Sequence, residues 1–203
     1  MANKLLITPT YLEQAHGVVY QVIIRLTQIA WRSCRSDERK AQDDFLHKVC
    51  LNLLEEERYS LAVDILDYAV TIHNLENDAS RRIFIINRAN GYSLQGNKQK
   101  AAQILSGEDW SASAPKFRMA TKIIAGSYSE AAKMLKDMPD DHENGFRKSS
   151  YRNEPLFRRI RENPDFIAAF ESKFGEPLNN VTLKSATDKA MREVSGEDTA
   201  NSE

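Results

Sequence analysis

The sequence is poor in the features that announce chemistry. Its 203 residues hold two cysteines, Cys34 and Cys50. Neither sits in a CxxC or a Cys/His ligand spacing, which excludes the common zinc and dithiol motifs. Both are expected to be small buried thiols of a reducing compartment. Charge of one sign is also missing: 28 basic residues face 29 acidic ones. The molecule as a whole therefore does not attract nucleic acid or an acidic surface, and any such role has to come from a local patch. No apolar run approaches the ~20 residues that span a bilayer. The apolar stretch at the N-terminus is cut off by Pro9 and is too short for a signal peptide, so the expected location is cytoplasmic. There is no glycine-rich phosphate loop, no G-x-S-x-G elbow, and no arginine-and-histidine ribonuclease spacing. His16, His47 and His73 lie in helical patterns without the HExxH spacing. No catalytic residue, metal or cofactor is assigned, and the expectation is a protein that is not an enzyme.

What is present is helical periodicity. Thr10 and Glu13 form a T-x-x-E capping box that opens a long helix reaching about Cys34. Leu12, Ala15, Val19, Val22, Ile23, Leu26, Ile29 and Ala30 make one apolar stripe on it, closed by Trp31. This stripe is expected to cap the N-terminal end of the fold. Ser36 caps a second helix to about Glu56, with Phe45, Leu46, Val49, Cys50 and Leu53 inward. Further helices are expected at about 60–73, 81–94, 98–105, 115–125 and 129–137. A polar stretch, 139–153, follows. Asn153 with Pro155 opens a short helix to Arg161, and Asn163 with Pro164 opens another that ends at Gly175. The resulting domain map is a capping helix over 1–36, helix pairs over 37–138, capping helices over 139–178, and a polar, disordered tail over 179–203.

Three turns in this stretch share a signature. Glu57-Arg58-Tyr59 is followed by Ala62 and Leu66, Gly96-Asn97-Lys98 by Ala101 and Leu105, and Gly126-Ser127-Tyr128 by Ala131 and Leu135. A small residue lets two antiparallel helices approach closely, and the aromatic, where the signature has one, fills the gap beside it. The alanines are 39 and 30 residues apart, which brackets a 34-residue period. Asn87, Ala89, Asn90, Tyr92, Gly96, Ala101 and Leu105 resemble the tetratricopeptide-repeat (TPR) pattern, whereas Arg88 stands where that family usually has leucine. The run Asp109-Trp110-Ser111-Ala112, Lys116-Phe117, Tyr151-Arg152, Pro155-Leu156-Phe157-Arg158, Phe166, Phe170 and Phe174-Gly175-Glu176 resembles the C-terminal part of uncharacterised bacterial TPR-like proteins over roughly 55–178.

The resemblance implies an all-α fold, a short TPR-like right-handed α-solenoid of antiparallel helix pairs, of bacterial or bacteriophage origin. It also implies a noncatalytic scaffold or adaptor whose concave groove, lined by His47, Leu51, Leu54, Ile83, Ile86, Asn90 and Ser93, takes a partner helix or peptide. The partner would be a protein, with self-association through an exposed face also open. An immunity or phage-defence regulator that binds one enzyme is a further analogy from the same resemblance.

The alternative reading is local. Residues 147–161 carry Arg147, Lys148, Arg152, Arg158, Arg159 and Arg161 against the single acid Glu154. Such a cluster suits phosphate or nucleic acid, since guanidinium groups bind phosphate bidentately. The plainer reading is a capping segment whose cations pair within the chain. Asp140-Asp141-His142-Glu143 lacks the alternating ligand order of a calcium loop and reads as a turn. Trp110, near Phe117, is either a contact residue or a plug between helix pairs.

Overall fold

The structure is a computed structural model that describes residues 9–33, 39–72, 78–141 and 143–178. The expected cap at Ser36, the stretch 179–203 expected as a disordered tail, and residues Cys34, His73 and His142 lie outside the described residues, as do the side chains of Thr10, Glu13 and Trp31. Among the described residues the chain is all-helical, with no strand. The α-helices are α1 (Pro9–Ser33), α2 (Arg39–Glu55), α3 (Tyr59–Ile72), α4 (Asp78–Leu94), α5 (Lys98–Ser106), α6 (Pro115–Ile124), α7 (Tyr128–Asp137), α8 (Lys148–Asn153) and α9 (Pro164–Phe174). Two 3-10 turns, Pro155–Phe157 and Ile160–Glu162, lie between α8 and α9. No described helix is long and apolar enough to cross a membrane.

The three signature turns are built alike. Glu57, Gly96 and Gly126 all have positive φ, at 63°, 93° and 80°. At each turn the next amide reaches back five residues: Arg58 N–H donates to Leu53 O, Asn97 to Tyr92 O and Ser127 to Lys122 O, at 2.8, 2.9 and 2.9 Å. The positive-φ residue itself donates three residues back. This is the double hydrogen bond that satisfies the last carbonyls of a helix when one residue turns left-handed. Five residues after each turn the alanine is buried: Ala62, Ala101 and Ala131 are at most 1% exposed. Leu66, Leu105 and Leu135, nine residues after, are buried beside them.

Consecutive helices pack on one another, α2 on α3, α3 on α4 and α4 on α5, and α4 also touches α2 and α6. Close approach fixes Gly91 on α4: a Cβ there would stand 2.7 Å from Val63 Cγ1. Arg88 ties α4 to α3 through the Asp67 carboxylate, which also accepts the Tyr92 hydroxyl at 2.7 Å. Arg88, Asp67 and Tyr92 thus form a polar clip between α3 and α4.

Two apolar cores result. One gathers Leu46, Cys50, Leu61, Ile65, Leu66, Ala69 and Phe84 between α2, α3 and α4. The other joins α4–α7 to α9 and centres on Met119, Leu135, Tyr151, Phe157, Phe166 and Phe170. Asn163 opens α9 with its side chain accepting Phe166 N–H at 3.1 Å, and Gly175 closes it at φ 68°. Both features match the sequence expectation.

Three expectations need correction. Phe45, expected to face inward on α2, is 62% exposed. The stretch from Asn153 to Arg161 is not one helix. It is the end of α8 followed by two 3-10 turns, because Pro155 cannot donate an amide and Arg158 and Arg159 are drawn towards other helices. Most of the α1 stripe does not pack either, Ile23 and Ala30 being its half-buried members. Ile24 and Thr27 are buried and Tyr20 and Ile23 half-buried, whereas Val19, Val22, Leu26 and Ile29 are 42%, 51%, 60% and 54% exposed. The helix is apolar on both sides, and the side carrying His16, whose Nε2 lies 2.8 Å from the Asp64 carboxylate of α3, faces the fold.

Candidate functional site

The expected groove residues do not form one open surface. Leu54, Asn90 and Ser93 are 0%, 4% and 5% exposed and belong to the packing between α2, α3 and α4 and beneath the C-terminal segment. His47 and Leu51 on α2, with Ile83 and Ile86 on α4, instead line a cavity of about 130 Å³. α6 supplies Lys116, Phe117 and Ala120 to it, and the segment after α7 closes the far side with Gly145, Phe146, Ser150, Glu154 and Leu156.

The cavity is apolar with polar groups at its edges. Asn87 also lines it, is 8% exposed, and its side-chain nitrogen is buried with no hydrogen-bond partner among the described residues. An unpaired buried donor costs on the order of 1–3 kcal/mol, so an acceptor placed beside it gains that much. The imidazole of His47 meets the Phe84 ring edge-on at 6.3 Å. Burial pushes the Lys116 ammonium below its ordinary range, opposed by Asp141, Glu143 and Glu154. The wall at Gly145 has no room for a side chain, because a Cβ there would lie 1.8 Å from the Pro139 carbonyl oxygen. Asp141 holds the same loop by accepting the amides of Asn144 and Glu143 at 2.7 and 2.8 Å, chiefly the first of which lowers its carboxyl pKa.

The sequence singles out four of these lining residues and misses Asn87 and the α6 and C-terminal contributors as a site. The signal available was Asn87 itself, a polar side chain among the isoleucines of an inward helix face. Nothing local foretells that residues 145–156 fold back to the same place.

The basic cluster is occupied within the chain. Arg158 donates to Glu55 O at 2.7 Å and Tyr59 Oη at 2.5 Å, and pairs with Glu57 at 3.0 Å. Arg159 donates to Leu94 O at 3.1 Å. Arg161 donates to Tyr151 O and Glu154 O at 2.9 and 2.5 Å. Arg152 donates to Pro177 O at 2.7 Å and, with Lys148, pairs with Glu176. Only Arg147 stands exposed without such a contact among the described residues. Lys173 acts similarly to the arginines, donating to Met138 O at 2.6 Å just past α7. Cations thus sit at the C-terminal ends of α2, α4 and α7, where free carbonyls and the helix dipole favour them.

Trp110 donates its indole N–H to Leu105 O at 2.8 Å and packs near Phe117 with Arg82 over its ring at 5.3 Å. It is half-buried between α5 and α6 and fills that seam. No protein-family model matches the chain, and neither does any curated protein or solved structure.

Proposed function

We propose that this protein is a noncatalytic interaction scaffold of TPR-like helix pairs that takes a peptide of a partner protein in the cavity between α2, α4 and α6. The three like-built turns, the buried alanine and leucine after each, and the side-by-side packing of α2, α4 and α6 support the repeat reading. The cavity with the unpartnered Asn87 amide carries the binding reading. An occupant that answers this chemistry puts one apolar side chain against Leu51, Ile83 and Ile86 and a backbone carbonyl beside Asn87. Nucleic-acid recognition through Arg147–Arg161 has less support, because five of its six cations are already engaged.

The test is selection from a random displayed peptide library against the protein and against its Leu51→Arg variant. Peptides sharing one apolar anchor, retained in high salt and lost with the variant, are expected. Peptides that bind the variant equally well, or no enrichment, would overturn the reading.

A further inference from the structure

The exposed side of α1 is the largest run of unpartnered aliphatic side chains among the described residues: Val18, Val19, Val22, Leu26 and Ile29 are 42–64% exposed. Solvent-facing helix surfaces normally carry charge, yet from Ala15 to Ala30 the single formal charge is Arg25. The order is that of a coiled-coil seam. Ala15, Val19, Val22, Leu26 and Ile29 alternate by four and three residues, with β-branched or leucine side chains after the first. Beside Ala15 and Val19 lies an open cleft of about 1060 Å³ whose other wall includes Leu53, Tyr59 and Leu61.

We infer that this seam pairs with the same seam of a second copy of the chain, making a twofold dimer through α1. The area admits it. The five side chains leave on the order of 450 Å² of apolar surface on one face, within the range of the largest patch on a monomer. Two such faces hold on the order of 900 Å², so an interface that reaches the lower bound of about 1,200 Å² for stable pairs takes in their flanking residues as well. The other end of the described fold argues for closure rather than a chain of copies. There α9 turns Phe166 and Phe170 inward and leaves Glu171 and Ser172 exposed, a polar cap that offers no second apolar face. An isologous pair of uncapped ends uses each seam once and stops.

The test is the solution mass of the full chain by light scattering under reducing conditions, for the protein and for V22E/L26E. The expected result is twice the 23.1 kDa chain mass, falling to the single mass in the variant with unchanged helical circular dichroism. If the double variant loses helicity, Leu26→Gln, which keeps helix propensity, is read by its raised dimer dissociation constant. A wild-type monomer at high micromolar concentration would overturn the inference, whether or not it binds phosphatidylglycerol vesicles, and so would a dimer indifferent to both variants. Leu51→Arg leaves the dimer mass unchanged, which separates this interface from the peptide cavity.

Discussion

Glu57 occupies a backbone position that glycine holds at the two equivalent turns. A side chain in the left-handed region costs on the order of 1 kcal/mol. Its carboxylate pairs with Arg158, but it is 68% exposed, so the pair is largely screened. Glu57→Gly is therefore expected to raise stability by about 1 kcal/mol in urea unfolding, and a loss would mean that the pair outweighs the strain. Tyr151 presents the opposite case. It is fully buried among Phe146, Phe157, Phe170 and Phe174, and its hydroxyl has no partner among the described residues. Removing the hydroxyl keeps the ring contacts and deletes a desolvated polar atom. Tyr151→Phe is expected to hold the unfolding free energy or raise it by up to about 1 kcal/mol, read in urea, and a clear drop would reveal a bond to that oxygen.

At the scale of elements, the arginines after α8 act as remote caps. Arg158 reaches an acceptor 103 residues earlier at the end of α2, and Arg159 one 65 residues earlier at the end of α4. Replacing both with alanine is expected to cost on the order of 2 kcal/mol, read as a lower urea midpoint. An unchanged midpoint would return these cations to the solvent and reopen their use as an anion site. The same contacts show where the sequence is legible. The three turns could be read because their residues are local: the left-handed position, the alanine and the leucine recur at fixed offsets. The C-terminal segment could not, since many of its partners are backbone carbonyls, which leave no trace in residue type. The α1 stripe is visible as periodicity, but a helix apolar on two sides does not say which side packs. His16 opposite Asp64 and the burial of Thr27, whose hydroxyl donates to Ile23 O at 2.8 Å, decide it. One wall of the cavity could be read for a similar reason. His47, Leu51, Ile83 and Ile86 follow from helix phase, whereas Phe146 and Leu156 arrive by a long-range fold-back.

Across the whole molecule, alkaline pH acts through groups of both cores, Cys50 buried in one and Tyr92 packed against the other. Burial pushes the Cys50 thiol up to about 12 from 9.0. Burial first, then the bond to Asp67, pushes the Tyr92 phenol up to about 12 from 10.0. In the unfolded chain these groups release their protons near 9 and 10, so above those values the unfolded state is favoured. Stability from both groups is complete below pH 9 and is expected to fall as pH rises from 9 towards 12, as unfolding midpoints across that range would show. A flat profile would contradict the burial. At pH 8 the Cys50 thiol stays protonated and enclosed, so iodoacetamide is expected to spare the Cys50 peptide until denaturant is added, read by peptide mass mapping.

The α1 face and the cavity are distinct surfaces of one molecule, one proposed to join copies and the other to hold a partner's peptide. The most direct measurement is a nuclear magnetic resonance titration of the labelled chain with a peptide from the library selection. The account predicts shift changes gathered at His47, Leu51, Ile83, Ile86 and Asn87. Changes confined to Val19, Val22 and Leu26, or to Arg147, with the cavity silent would contradict it.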